Sequence, residues 1–141
     1  MAITEIEAGV RAVSKRLPKV ISPKTHAIID YAVAGSFFLM GGLMWGRSKR
    51  AAIASLACGA AETTVAMLTD YRGGVANVIS FETHGKIDAA TSGMVAMLPM
   101  LLAFGDRKEA MFFRAQGMGI AATTGMTDFE TYRGGRRRRA A

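Results

Sequence analysis

The sequence predicts an all-α membrane protein: a four-helix transmembrane bundle made of two parallel helical-hairpin repeats, preceded by an N-terminal amphipathic interfacial helix. Three observations predict it. Half of the 141 residues are apolar, with 16 Gly and 10 Met but only 3 Pro and 8% aromatic residues. That is a small-residue composition, suited to helices packed backbone to backbone. The apolar residues fall into four runs, and a helix needs about 17–25 such residues to cross a hydrocarbon core. One phrase also occurs twice: Thr25-His26-Ala27-Ile28-Ile29-Asp30 returns as Thr83-His84-Gly85-Lys86-Ile87-Asp88.

The likeness extends beyond that phrase. Val20-Ile21-Ser22 matches Val78-Ile79-Ser80, Gly35 matches Gly93, Gly59 matches Gly117, and Thr69-Asp70 matches Thr127-Asp128. About fifteen of about fifty aligned positions are identical, which marks a duplicated supersecondary unit. The chain therefore divides into an amphipathic N-terminal helix at 1–19, a first repeat at 20–77, a second at 78–131 and a basic C-terminal tail at 132–141. Each repeat is expected to be two helices.

Ile3, Ile6, Val10, Val13 and Leu17 recur at helical spacing opposite a charged face, so residues 3–17 read as a basic amphipathic helix ended by Pro18. Thr4 and Glu7 fit a capping box at its start. A helix of this kind, just before an apolar segment, is expected to lie in the membrane interface. Ser22-Pro23 then supplies an N-cap and a first-turn proline. The run from Ala27 to Trp45 is apolar nearly all round, where a helix of a soluble four-helix bundle, the alternative, should show a polar face. Ala51 to Leu68 forms the second run, and Asp70 to Gly74 supplies glycines of the kind that end helices. The third run spans Lys86 to Phe104, with Pro99 inside it, and the fourth spans Ala110 to Met126. By length and polarity the first and third runs are the stronger spans, the second is borderline and the fourth is poor. The single Cys58 excludes an internal disulfide and reads as a small buried hydrophobe.

Two hairpins in series bring all four phrase-bearing helix ends to the face that also carries the termini. Of 18 Lys and Arg, twelve fall on that face and its flanks, including Arg136 to Arg139, and six in or near the opposite turns. The positive-inside rule makes that face cytoplasmic, giving a multi-pass protein of the inner membrane with both termini in the cytoplasm. Basic flanks point to anionic lipid as a partner. No nucleic-acid partner is expected, because no basic face is interleaved with aromatics and no nucleic-acid motif occurs.

Both histidines belong to the duplicated phrase. His and Asp four residues apart share one side of a helix, so His26, Asp30, His84 and Asp88 should gather with Asp70 and Asp128 in one polar cluster. Asp70 and Asp128 sit where the helix dipole disfavours negative charge, and the histidines are their expected partners. The plainest reading is a structural His–Asp network. Two imidazoles with carboxylates also suit Zn or Fe, and either histidine could ligate a haem or pigment ring. Glu62 is the other residue of interest. An intramembrane carboxylate raises a proton or ion step, against which stands a carboxylate bonded to Thr63 or paired with Arg114.

The phrases Thr-His-x-x-Ile-Asp and Thr-Asp-Tyr/Phe resemble those of small bacterial tandem-repeat helical membrane proteins. The resemblance covers residues 20 to 129 and implies no activity. With no catalytic or transport motif in the chain, the expected function is a non-catalytic accessory subunit of a larger membrane complex, of electron-transfer or photosynthetic type. Its partners would be lipids and other membrane subunits. The alternatives are a haem-, pigment- or metal-binding membrane protein using His26 and His84, a small transporter or proton conductor using Glu62, and a soluble bundle.

Overall fold

The structure is a computed structural model, and it describes residues 15–132 together with Ala8 and Ala12. Ala8, Ala12, Lys15 and Arg16 are helical. Leu17 already bends out of the helix, and the other positions of the expected 3–17 helix, like the arginines beyond Tyr132, lie outside the described residues.

Four long helices follow: α1 (Pro23–Met44), α2 (Lys49–Leu68), α3 (Phe81–Leu101) and α4 (Arg107–Met126). Their starts are set by local chemistry. Ser22 and Ser80 each accept the amide of the residue three ahead, Thr25 and Thr83, and Ser48 accepts that of Ala51. Asp106 accepts the Lys108 amide. These bonds satisfy first-turn donors that otherwise lack partners. Because Ser80 is a true N-cap, α3 begins at Phe81, well before the apolar run from Lys86. α4 likewise begins at Arg107, so Glu109 is helical and buried although the sequence places it in a turn.

α1 packs on α2 and α3 packs on α4, giving two helical hairpins. Within each, a glycine lies at the close crossing. A Cβ on Gly59 would come 3.2 Å from the Ala34 carbonyl oxygen, and one on Gly117 would come 2.6 Å from that of Ser92. Gly35, Gly42, Gly46, Gly93 and Gly119 meet open space instead, whereas a Cβ on Gly41 would come 2.7 Å from the Leu56 side chain of α2. Gly74 also belongs to a tight site, since a Cβ there would fall on the Thr69 carbonyl oxygen, 1.7 Å away.

The hairpins join end to end through backbone bonds that pair off at one offset. Ile21 donates to Met126 (3.0 Å) and accepts from Asp128 (3.1 Å), while Ile79 donates to Leu68 (2.9 Å) and accepts from Asp70 (2.8 Å). Each residue of the first set stands 58 positions from its counterpart in the second, the same separation as His26 and His84. The starts of α1 and α3 and the ends of α2 and α4 thus share one end of the bundle. Beneath that end, Ala27, Ala66, Tyr71 and Phe81 form a small core. Further along, Phe37, Met44, Val95, Phe113 and Ile120 fill the middle and far end.

Among the described residues, α1 and α2 are long and apolar enough to cross a membrane, and only 33% and 39% of their apolar windows are buried. α3 falls short, which corrects the expected ranking of the second and third runs. The reason is its opening turns, where Glu82, His84, Lys86 and Asp88 dilute the apolar stretch. Large apolar side chains face outward on every helix, among them Leu39 (64% exposed), Leu43 (65%), Met100 (67%) and Met118 (71%).

Candidate metal centre

The four residues of the duplicated phrases meet on the bundle axis. His26, Asp30, His84 and Asp88 are each at most 3% exposed, and they offer one donor atom apiece within 4.8 Å of one another. The two imidazole Nε2 atoms are 3.2 Å apart. Asp88 Oδ2 stands 3.1 Å from each of them. Asp30 spans the pair, with Oδ1 3.3 Å from His26 Nε2 and Oδ2 3.3 Å from His84 Nε2. The helical i, i+4 spacing places imidazole and carboxylate on one side of each helix. The joined hairpin ends then bring the two pairs face to face.

The other face of each ring decides what Nε2 can do. His26 Nδ1 lies 2.7 Å from Thr127 Oγ1, and His84 Nδ1 lies 2.7 Å from Thr69 Oγ1. Each threonine hydroxyl donates to its own helix, Thr127 to the Thr123 carbonyl at 2.7 Å and Thr69 to the Val65 carbonyl at 2.6 Å. A hydroxyl has one proton to give. With it committed, Thr Oγ1 can only accept, so Nδ1–H of each imidazole donates to it. In the neutral rings Nε2 then carries a lone pair, and both lone pairs face two carboxylates. With both rings neutral, no donor stands between the two lone pairs and the carboxylate oxygens that face them.

Aromatic rings close the site. Phe81 stands edge-on to His26 at 5.3 Å, Phe129 lies 5.9 Å from His26, and Tyr71 lies 5.4 Å from His84. The Tyr71 hydroxyl donates to Asp30 Oδ2 at 2.7 Å. Burial first, and then this bond to Asp30, push the phenol well above its ordinary pKa. Thr124 Oγ1 donates to Asp88 Oδ2 at 3.3 Å.

Asp70 and Asp128 do not join the cluster, which corrects the six-residue expectation. Each follows a threonine whose backbone is extended, Thr69 at φ −80, ψ 139 and Thr127 at φ −84, ψ 137. Successive side chains of extended chain point to opposite sides, so an inward threonine turns the next aspartate away. Asp128 instead caps the chain beyond it, accepting the Thr131 hydroxyl and the amides of Glu130 (3.1 Å) and Thr131 (3.0 Å). The Thr131 hydroxyl and amide hold its carboxyl below the usual carboxylate range. Asp70 accepts from the Tyr132 hydroxyl at 3.5 Å. The histidines thus serve Asp30 and Asp88, not the aspartates at the helix ends.

Glu62 is 7% exposed on α2, beside a cavity that also reaches Asp88. Neither expected structural partner holds it. Thr63 donates its hydroxyl to the Gly59 carbonyl, and Arg114 is exposed on α4 without an ion pair to Glu62 among the described residues. Sequence reasoning passed over Thr69, Thr127 and Tyr71 as site residues. The signal was present, because the threonines recur with the same spacing as the histidines.

The chain matches no protein-family model, no curated protein and no solved structure. The chemistry of the site is therefore argued from its own residues.

Proposed function

We propose that this chain is a membrane-embedded metal protein, in which two repeated helical hairpins jointly hold one divalent transition-metal ion at His26, Asp30, His84 and Asp88. The observation that carries the reading is the pair of threonine-fixed imidazoles. Their Nε2 lone pairs and two carboxylates converge where one cation can satisfy all four.

The spacing supports one ion. Ligands in a tetrahedron around an ion with bonds of about 2.0–2.1 Å stand about 3.3–3.4 Å apart. The His–His separation and those from both rings to Asp88 are 3.1–3.2 Å. Asp30 meets each ring at 3.3 Å with a different oxygen, and one donor from each of the four residues lies within 4.8 Å of the others. Two aspartates balance a divalent charge, which matters in a site shielded from water. Mixed imidazole and carboxylate donors in this geometry favour Zn2+ or Fe2+. Threonine oxygens bonded to Nδ1–H are the outer partners that fix the ligand tautomer.

The alternatives fit less well. A purely structural network would need at least one proton within the cluster. A single imidazolium N–H serving the other Nε2 or a carboxylate would leave the remaining acceptors facing one another at 3.1–3.3 Å. A haem held between the histidines would need their nitrogens about 4 Å apart, twice a usual metal–nitrogen bond. Conduction through Glu62 would need a polar path along the bundle, where the buried Phe37, Val95 and Phe113 stand instead. The accessory-subunit expectation rested on motifs that the chain lacks, and the site offers a chemical role in its place.

The membrane setting is supported by the two long apolar helices and by outward Leu, Ile, Phe and Met side chains on all four. Exposed apolar surface on this scale demands a cover, and lipid is the cover proposed here. The excess of Lys and Arg on the terminal face supports cytoplasmic termini. The test is Co2+ titration of the metal-stripped protein in mild detergent. One ion per chain with the intense visible bands of a four- or five-coordinate site is expected, and their loss in His84→Ala. A chain that takes up no Co2+ contradicts the reading.

A further inference from the structure

A cavity of about 60 Å³ lies between α2 and α3 and reaches the site at Asp88. Cys58 and Glu62 border it from α2, Asp88 and Thr91 from α3, and Phe37 from α1. Counting along the helices at 1.5 Å per residue, Glu62 lies about 10 Å from Thr69, whereas Asp88 lies about 6 Å from the His84 that Thr69 bonds. Glu62 is thus about 4 Å deeper in the bundle than Asp88, with the cavity between them.

Two features set this cavity apart from a packing defect. Glu62 is more than nine-tenths buried, yet its carboxyl makes no hydrogen bond or ion pair to another described residue. A buried carboxyl without a protein partner is costly unless water serves it, and this volume holds about two waters. The second feature is a break in the 58-residue correspondence. The counterpart of Glu62 is Ile120, which is 3% exposed in the apolar core. The fold thus accommodates an isoleucine at the matching place, so nothing in the packing demands a carboxylate.

We propose that the cavity holds a fifth, non-protein ligand of the metal, a water molecule bound beside Asp88 and hydrogen-bonded to Glu62. This rests on the metal reading above. Asp30 and Asp88 already balance a divalent ion, so the ligand that adds no charge is neutral water. A small anion such as azide can replace it. The site is then open on its α2–α3 side, the property that separates metal sites that admit an exogenous ligand from purely structural ones. Glu62 acts as a positioning residue for that ligand and is not itself bound to the metal.

The experiment is azide titration of the Co2+-loaded full-length protein, followed by visible absorption. Wild-type protein is expected to show a saturable spectral change. Glu62→Ile, which places the residue of the α4 counterpart into the cavity, is expected to bind one Co2+ per chain but to show no response to azide. Cys58→Leu fills the same space from one helical turn away and gives the same result if Glu62→Ile does not fold. A wild-type spectrum indifferent to azide overturns the proposal, and so does an unchanged azide response in a folded cavity-filling variant. Failure to bind Co2+ at all is a different result, because it removes the metal centre itself.

Discussion

The two halves of the site differ in what surrounds the proposed metal ligands and agree in the ligands themselves. Around His84 and Asp88, and around His26 and Asp30, the fixing threonines, the serine caps and the joining backbone bonds correspond at an offset of 58 residues. The surroundings do not correspond. Tyr71 donates to Asp30, but its counterpart Phe129 has no hydroxyl; Thr124 donates to Asp88, but its counterpart is Ala66. Glu62 faces the cavity where Ile120 fills the core. A duplicated unit can supply a symmetric set of donors, and single substitutions on one side then make the two faces of the ion chemically distinct.

The most severe way to break the comparison is to remove one imidazole. If one ion is shared, as proposed, His26→Ala and His84→Ala should weaken binding alike. Each loss should exceed about a hundredfold, above the range usual for outer partners. Metal analysis that finds a full ion in either variant, or two ions per wild-type chain, would show that the halves bind separately. Next come the threonines. Thr69→Val and Thr127→Val keep the shape and remove the acceptor for Nδ1–H, so each should lower affinity about 10–100-fold. Isothermal titration should find the two effects similar.

Tyr71→Phe makes the first half resemble the second. It removes a buried hydrogen bond to a carboxylate, a contact worth about 1.5–3 kcal/mol, and chemical unfolding of the metal-free protein should register that loss. Phe129→Leu, by contrast, removes no such bond. The smallest contrast is in packing. Gly117→Ala places a Cβ 2.6 Å from a backbone oxygen and should destabilise by about 1–3 kcal/mol. Gly59→Ala meets its oxygen at 3.2 Å and should cost less than Gly117→Ala. Equal melting temperatures for the two glycine variants would show that the hairpins relax more freely than their crossings imply.

Much of this was legible in the sequence. The serine cap at Ser22 and the inward His–Asp pairs follow from spacing alone, and the helical bundle follows from the four apolar runs. Three things did not follow. The helix-end aspartates look like site residues by type, but the extended backbone at Thr69 and Thr127 turns the threonines inward and the aspartates away. α3 starts earlier than its apolar run because Ser80 caps it, so His84 and Asp88 sit inside a helix whose first turns are polar. Arg114 looked like a partner for Glu62 because both interrupt apolar runs, yet the α4 face that carries Arg114 is exposed. Which side of a helix faces the axis depends on the crossing of the hairpins, and a single sequence does not specify that crossing.

The most direct test of the account is the X-ray absorption spectrum of the zinc-loaded protein in detergent. The account predicts four or five nitrogen and oxygen ligands at about 2.0–2.2 Å, with the outer-shell scattering of two imidazoles. A first shell of sulfur, or one of water oxygens without imidazole scattering, would contradict it.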